Sequence, residues 1–265
     1  MIQFKSNSLT VFQSALYMTT TAVVQTSNSV ILTDPNWLPS EIDEIKTYIS
    51  KVIGEKQLYV IYTHSDFDHI IGAGAFPEAK VIATKEFNEN PYKNRAIEAI
   101  KAFDQGYYIN RNYETIYPTV DIIIEQDGYQ LHIDEVTITF YKAPGHTNDG
   151  LFAVIEPYGI FLAGDYLSDM EFPFICSSYE DYMDTVTKAK QLLSMHSIRT
   201  LVPGHGTTTQ DLQEITRRIN DSKFYLDQLH KVDEGLEELL RVKYSFFEGM
   251  KESHTKNIEM ARCKR

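Results

Sequence analysis

The chain has 265 residues, of which 43% are hydrophobic and 23% charged, so its composition is that of an ordinary globular protein and excludes a disordered or fibrous one. It carries 25 Lys and Arg residues against 37 Asp and Glu residues, and the resulting net charge of −12 disfavours a nucleic-acid partner. It lacks the apolar run of ~18–20 residues that a spanning helix needs, and it begins without a secretory signal, so we expect a cytoplasmic protein without a membrane partner.

The first elements in chain order are two strands and a helix. Residues 22–26 and 29–33 are β-branched runs separated by a Ser-Asn pair, which is typical of two consecutive strands. Isoleucine and valine at helical spacing then predict a helix. We expect this helix to begin with an N-cap at Ser40, with Asp43 as the capping-box acid, and to stop at Gly54.

Two short strands follow that helix. Residues 58–62 are almost wholly apolar, which predicts a strand covered on both faces, and residues 80–83 predict the next strand. Between them, the segment Gly72-Ala73-Gly74 lacks the third glycine of a dinucleotide-binding loop. It predicts instead a tight turn that opens a helix.

A tyrosine-rich segment interrupts the strands at about residues 86–118. It contains a helical stretch near residues 96–103, and we interpret it as an insertion or lid. Its tyrosines either line a substrate pocket or pack within the fold. They are Tyr92, Tyr107, Tyr108, Tyr113 and Tyr117.

The second half of the chain returns to strands and ends in helices. Short runs of β-branched and apolar residues predict five strands, at residues 120–124, 129–133, 136–141, 151–155 and 160–163. A helix at 179–196, a strand at 200–202 and a helical C-terminal extension from about residue 207 follow. Because no internal repeat, low-complexity linker or hinge divides the chain, we expect one domain over residues 1–265.

Four potential metal ligands lie within six residues, directly after the predicted strand at 58–62: His64, Asp66, Asp68 and His69. Side chains alternate along an extended segment, so His64 and Asp66 project the same way, and a turn after Asp66 would bring the other two back toward the same point. Such a cluster of imidazoles and carboxylates is self-repelling or poorly solvated without a cation. A divalent metal ion resolves the conflict.

Three further potential ligands share one local context, a short apolar strand followed by a turn that contains glycine. They are His146 in Pro-Gly-His, Asp165 in Ala-Gly-Asp and His205 in Pro-Gly-His-Gly. Ligands that repeatedly follow strand ends indicate that one edge of a sheet system presents them all to a common cleft.

The pattern resembles the signature of the metallo-β-lactamase superfamily, which is HxHxDH followed by a lone His, a lone Asp and a final His. The resemblance runs from about Ala22 to His205. It implies an α/β fold, a four-layer αβ/βα sandwich of two mixed β-sheets flanked by helices. Asp34 matches the acid that members of the family carry at the turn before the first helix, where it supports the metal loop.

The same resemblance implies two divalent metal ions. The implied ligands are His64, Asp66 and His146 for the first ion and Asp68, His69 and His205 for the second, with Asp165 bridging them. Asp68 also matches the family acid for which proton transfer to the leaving group has been suggested, so it is our candidate catalytic residue.

One position departs from the signature, because Asp66 stands where the family normally has its second histidine. Asp66 is either a direct ligand or an acid that orients His64 from outside while the first site stays empty. A third carboxylate makes the ligand set more negative, and oxygen ligands favour harder ions. Zinc remains the leading expectation, with iron or manganese as alternatives. The flavodiiron branch of the superfamily looks similar at this position.

The resemblance implies a metal-dependent hydrolase, in which a metal-activated water attacks a small ester, thioester, lactone or phosphoester. His69 and the absence of a signal segment separate the chain from exported antibiotic-degrading β-lactamases. Two alternatives stay open. One is an iron-dependent oxidoreductase of the persulfide-dioxygenase or oxygen-reducing type, and the other is a non-catalytic metal-binding protein.

Overall fold

The protein is described by a computed structural model that covers residues 1–231 and 235–262. Within these residues a seven-stranded sheet contains, in spatial order, β1 (Ile2–Lys5), β2 (Leu9–Gln13), β3 (Thr20–Gln25), β4 (Ser29–Thr33), β5 (Gln57–Ile61), β6 (Lys80–Thr84) and β7 (Ile122–Ile124). Neighbouring strands are antiparallel from β1 to β4 and parallel from β4 to β7, so this sheet is mixed.

The second sheet has five strands within the described residues. They are β8 (Tyr129–Ile133), β9 (Val136–Lys142), β10 (Leu151–Glu156), β11 (Ile160–Leu162) and β12 (Thr200–Val202), in the order β12-β11-β10-β9-β8. Only β11 and β12 are parallel, and the other neighbours are antiparallel. As a consequence, β9, β11 and β12 all run in the same direction.

Eight α-helices occur in the same described ranges. They are α1 (Pro39–Val52), α2 (Phe67–Ile70), α3 (Lys85–Asn88), α4 (Lys93–Gly106), α5 (Tyr179–Met195), α6 (Leu212–Gln228), α7 (Gly235–Lys243) and α8 (Phe247–Arg262). In the described part of the chain, no helix is long and apolar enough to cross a membrane.

Three apolar clusters separate four layers. Alternation along β10 sends Ala153 and Ile155 inward, where they meet Val11 and Ile31 of the other sheet, while Phe152 points outward. The outer face of the first sheet packs against α1 and α4, and the outer face of the second packs against α5, α6 and α8. The predicted four-layer αβ/βα sandwich of two mixed sheets is therefore confirmed.

Helix α1 begins differently from the sequence prediction. Its N-cap is Leu38 rather than Ser40, and the acid that caps it is Glu41 rather than Asp43. Pro39 occupies the first helical position, where its missing N–H costs nothing, so the helix begins one residue before the predicted cap. Glu41 Oε2 accepts a hydrogen bond from the Leu38 backbone N–H at 3.0 Å.

Several strands also differ from the sequence prediction. The strands β1 and β2 were not predicted, because their mixed polar and apolar residues give a weak pattern. Residues 58–62 are not covered on both faces throughout, because Leu58 and Tyr59 are only half-buried. The predicted run from 120 to 141 is divided between the sheets, since β7 pairs with β6 while β8 and β9 pair with each other.

The tyrosine-rich segment at 86–118 contains α4 and uses two of its tyrosines for packing. Tyr117 donates a hydrogen bond to the Phe87 carbonyl at 2.8 Å, and Tyr113 accepts one from Arg111 at 2.7 Å. Tyr108, in contrast, is 93% exposed. The interpretation of the whole segment as an insertion or lid stays a prediction.

The glycines after α2 are required by close packing. A short 3₁₀ helix, Ala73–Ala75, does begin at the predicted turn. A Cβ atom at Gly74 would lie well inside the van der Waals radius of the Glu114 carbonyl oxygen, and one at Gly72 would meet the carbonyl of Pro35. These contacts pack the segment after α2 tightly against its neighbours.

Replacing Gly74 by alanine is expected to lower the free energy of unfolding by about 1–3 kcal/mol, because the new methyl group must displace a backbone segment. Gly106→Ala is the matched control, since a Cβ atom there meets nothing within 4 Å. Urea denaturation of both variants measures the difference. Equal stability of the two variants would contradict this account.

Candidate metal centre

The potential ligands lie at one end of the sandwich, because the strands that precede them run in the same direction within each sheet. In the first sheet β4 and β5 are parallel, and in the second β9, β11 and β12 are codirectional. The residues that follow these strands are Asp34 after β4, His64 after β5, His146 after β9, Asp165 after β11 and His205 after β12. The fold thus carries widely separated residues to one edge.

The turn expected after Asp66 is the start of helix α2. Asp66 is the N-cap of this helix, with an extended backbone, and its carbonyl accepts a hydrogen bond from His69 N at 3.0 Å. The single helical turn brings Asp68 and His69 back toward His64. All four residues of the motif therefore face one centre.

The ligand atoms of the predicted residues form two groups. The first contains His64, Asp66, His146 and Asp165, and the second contains Asp68, His69 and His205. Within each group these atoms all lie within 4.8 Å of one another. All seven residues that the sequence predicted as ligands are brought together.

Asp165 lies between the two groups. Its Oδ2 is 3.6 Å from His64 Nε2, 3.1 Å from His146 Nε2 and 3.3 Å from His205 Nε2. Its Oδ1 is 3.0 Å from His69 Nε2. One carboxylate, with a side chain only 10% exposed, thus contacts four imidazoles from three separate segments of the chain.

Asp34 orients the histidines of the motif from the outer side. It is 2% exposed, and its Oδ1 accepts the Thr63 backbone N–H at 2.8 Å. Its Oδ2 accepts the Thr63 hydroxyl at 2.5 Å and His69 Nδ1 at 3.0 Å. The Thr63 hydroxyl is thereby used as a donor, so it accepts from His64 Nδ1 at 3.1 Å. Both rings are left with Nε2 directed at the centre.

Backbone carbonyls orient the other two histidines. His146 Nδ1 donates to the Phe174 carbonyl at 2.8 Å, and His205 Nδ1 donates to the Tyr17 carbonyl at 2.9 Å. A neutral imidazole with a proton on Nδ1 presents a lone pair on Nε2, which is the form that binds metals. All four rings therefore have the orientation of metal-binding histidines.

The electrostatics of the centre favour a cation. Burial alone would lower the pKa values of His69, His146 and His205, but the charge of Asp165 and the hydrogen bonds to nearby carboxylates together outweigh it and raise each well above its usual value. Burial alone would raise the pKa of Asp66, but the hydrogen bond from His146 and the charge of His64 hold it at about 2. The carboxylates thus stabilise positive charge within the cluster, and a divalent ion would supply such charge.

Two buried polar atoms indicate where positive charge is needed. His64 Nε2 is buried without a hydrogen-bond partner, and Asp165 Oδ1, although 3.0 Å from His69 Nε2, accepts no well-aligned hydrogen bond, whereas buried polar atoms in native proteins are normally paired. His69 Nε2 and His205 Nε2 are 3.3 Å apart. Because each Nδ1 donates to an oxygen, two neutral rings would place two lone pairs against each other, which a metal ion between them would relieve. The donor set and its geometry fit divalent metal ions.

Sequence reasoning missed several supporting groups. Thr63 carried no signal beyond its place before His64, and carbonyl acceptors such as that of Tyr17 cannot be recognised from side-chain chemistry. Trp37 is another of these groups. Trp37 is fully buried, and its Nε1 donates to Thr19 Oγ1, which lies 3.3 Å from His205 Nδ1.

A family model described as the metallo-beta-lactamase superfamily matches residues 15–205 of this chain. The chain belongs to the metallo-beta-lactamase superfamily. A curated relative, the metallo-beta-lactamase type 2 of Bacillus sp. (strain 170), is 25% identical over 187 residues, which are 69% of this chain and 65% of the relative. The chain thus spans slightly less than two thirds of that relative's length, and the family resemblance seen in the motif is confirmed.

Solved structures of the superfamily share the fold at low sequence identity. The stereoselective inverting sec-alkylsulfatase Pisa1 of Pseudomonas sp. has a TM-score of 0.68 and 12% identity, over 91% of this chain and 43% of that chain. The rubredoxin oxygen:oxidoreductase of Desulfovibrio gigas has a TM-score of 0.58 and 13% identity, over 86% of this chain and 62% of that chain. The superfamily fold thus occurs in both hydrolases and an oxidoreductase.

Proposed function

We propose that the chain is a metal-dependent hydrolase that holds two divalent ions and cleaves a small ester, thioester, lactone or phosphoester. The observation that carries this proposal is the position of Asp165, whose two oxygens lie 3.0–3.6 Å from the Nε2 atoms of four histidines. A carboxylate in this position is suited to bridging two ions. Family membership supports the proposal, because the superfamily includes many hydrolases.

The proposed ligand sets follow the two groups of side chains. The first ion would be held by His64, Asp66 and His146, the second by Asp68, His69 and His205, and both by Asp165. When bound, the two ions would supply a water of lowered pKa and would polarise an oxygen of the substrate. Zinc suits the imidazoles, while the three carboxylates also admit manganese or iron.

The remaining side chains position these ligands and handle protons. Asp34 fixes the tautomer of His69, which keeps its Nε2 directed inward. Asp68 Oδ2 lies 3.5 Å from His69 Nε2 and 3.4 Å from His205 Nε2, and its side chain is 13% exposed. We assign to Asp68, at this partly open position, the transfer of a proton to the leaving group.

Elemental analysis and a substrate panel on the same preparation test the proposal. We expect about two zinc or manganese ions per chain, and hydrolysis of at least one reporter among p-nitrophenyl esters, a thioester, a lactone and a phosphodiester. Full metal occupancy without turnover of any reporter would contradict hydrolysis and would favour a non-catalytic metal-binding protein.

An iron-dependent oxidoreductase is the second candidate, and Asp66 is the observation that favours it. Asp66 Oδ2 lies 3.2 Å from His146 Nε2, so the first group contains a second carboxylate where the superfamily signature has an imidazole. Protein purified without added metal would then contain stoichiometric iron, and its absorption spectrum would change with dithionite. Colourless protein that carries zinc or manganese would exclude this candidate.

Replacing Asp66 by histidine is expected to raise the zinc occupancy of the first site, because an imidazole is a better ligand for zinc than a carboxylate is. The Asp66 side chain is 42% exposed, so the larger ring has room. Mass spectrometry of metal content after dialysis against limiting zinc compares the variant with wild type. Asp184→His, at an exposed position of α5, is the control for adventitious binding. Equal zinc content in the Asp66 variant and wild type would show that Asp66 is not a ligand.

A further inference from the structure

A cavity of about 300 Å³ lies beside the candidate metal centre. Its wall is continuous with the centre, because the Tyr17 carbonyl accepts the hydrogen bond of His205 Nδ1 and the Met18 carbonyl accepts that of Gly206 N at 3.0 Å. The opposite wall is formed by Phe246, before α8, and by Gly249 and Met250 within it. The cavity therefore lies between a loop that orients a ligand and the C-terminal helices.

The lining of the cavity is apolar and adaptable. Three methionines, Met18, Met170 and Met250, share it with the rings of Tyr17 and Phe246. Methionine side chains are unbranched and polarizable, so they adjust to ligands of variable shape. Pockets of this size and composition bind the apolar parts of small molecules.

One carboxylate marks the boundary between the cavity and the centre. Glu171 lines the cavity and is close enough to His205 and Asp165 to be affected by their charges. Burial raises the pKa of Glu171 despite the opposing charge of His205. The apolar lining of the cavity disfavours a charged group on a molecule that occupies it.

Backbone strain is concentrated in the same wall. Tyr17 and Met18 have φ values of 52° and 50°, in the left-handed region that residues other than glycine rarely adopt. Two consecutive strained residues persist only where the surrounding structure fixes them, and such strain clusters at ligand sites. Here the strained pair both orients His205 through a carbonyl and contributes side chains to the cavity.

We propose that this cavity binds the apolar, uncharged acyl chain of an ester, thioester or lactone substrate. This proposal rests on the proposed function, because the acyl chain reaches the cavity only when the head group of the substrate lies at the metal centre. A water molecule occupies about 30 Å³ in the liquid, so the cavity accommodates a chain of about ten non-hydrogen atoms.

Binding of hydroxamates to the zinc-loaded protein tests the proposal without relying on turnover. A hydroxamate head group chelates metal ions, and titration calorimetry compares acetohydroxamate, octanohydroxamate and suberic acid monohydroxamate, which carries a terminal carboxylate. Each methylene buried from water strengthens binding about fourfold. We therefore expect octanohydroxamate to bind at least tenfold more tightly than either of the other two probes.

The variant Gly249→Leu fills the cavity. A Cβ atom at Gly249 meets nothing within 4 Å, so the leucine side chain extends into the space without a backbone clash. We expect this variant to bind octanohydroxamate at least tenfold more weakly than wild type, and acetohydroxamate within twofold of wild type. Gly106→Leu is the matched control, since it is also an exposed helical glycine with open space at Cβ but does not line the cavity. Thermal melting of both variants verifies folding.

The possible results separate the two proposals. If acetohydroxamate and octanohydroxamate bind wild type equally, or if Gly249→Leu leaves octanohydroxamate binding unchanged, the cavity proposal is wrong while the metal centre stands. If suberic acid monohydroxamate binds as tightly as octanohydroxamate, selection for uncharged chains is wrong. If neither acetohydroxamate nor octanohydroxamate binds to protein that contains two zinc ions, the proposed function fails and the cavity proposal fails with it.

Discussion

Replacing Asp165 by alanine is expected to remove both ions and to abolish hydrolysis, the largest effect of any single substitution in this chain. Its two oxygens contact the Nε2 atoms of four histidines, so neither proposed ligand set is complete without it. The ions supply several kcal/mol of transition-state stabilisation, and each 1.36 kcal/mol is tenfold in rate. We expect the metal content to fall from about two ions per chain toward zero, and the rate to fall by at least about a thousandfold.

Three other substitutions show whether this effect is specific to the bridging position. His146→Ala and His205→Ala each remove a ligand from one group only, so each is expected to lose one ion. Asp184→Ala removes a carboxylate from the exposed face of α5 and should retain both ions. Elemental analysis and the reporter assay are applied to all four proteins. Retention of two ions by Asp165→Ala would show that Asp165 does not bridge them.

The convergence of the candidate ligands was predictable because each belongs to a short segment with a local signature. His146, Asp165 and His205 each follow an apolar strand and a glycine-bearing turn, and the structure places each just after β9, β11 or β12. Strand direction then determines where they meet, and strand direction follows from the superfamily fold. Residue type, spacing and strand context are therefore enough to predict that these side chains lie together.

Other features depend on tertiary contacts that leave no local pattern. The three isoleucines of β7 suit either sheet, so their pairing with β6 could not be inferred from composition. The start of α1 depends on Glu41, whose carboxylate also accepts hydrogen bonds from Ser14 and Ala15 on a distant loop. The cavity beside the centre combines residues from the loop at Tyr17 with residues of α8, which are more than 200 positions apart.

Replacing Asp34 by asparagine is expected to lower both the stability of the metal-free protein and its affinity for the second ion. The buried carboxylate accepts three hydrogen bonds, two from Thr63 and one from His69 Nδ1. An amide NH₂ cannot accept, so at least one buried donor loses its partner, at a cost of about 1–3 kcal/mol per group. We expect the free energy of unfolding to fall by about 2–4 kcal/mol. Loss of the group that orients His69 should lower the affinity for the second ion by about 10–100-fold.

The substitution to asparagine removes the carboxylate without changing the backbone conformation at position 34. Asp34 has a φ of 43°, and asparagine tolerates this left-handed conformation about as well as aspartate, so backbone strain is unchanged. Asp134→Asn is the matched control, because Asp134 also has a positive φ, of 52°, and accepts hydrogen bonds from Thr26 and Asn28 at an exposed turn. That control should lose less than about 1 kcal/mol and bind both ions normally.

Chemical denaturation of the metal-free proteins and competitive zinc titration separate the two effects of Asp34→Asn. If stability falls while both ions bind as in wild type, Asp34 holds the loop after β5 in place but does not tune His69. If the second ion alone is weakened, the hydrogen bond to Nδ1 acts mainly through the tautomer of the ring. The geometry predicts both losses together, because the same carboxylate oxygen, Oδ2, accepts from the Thr63 hydroxyl and from His69.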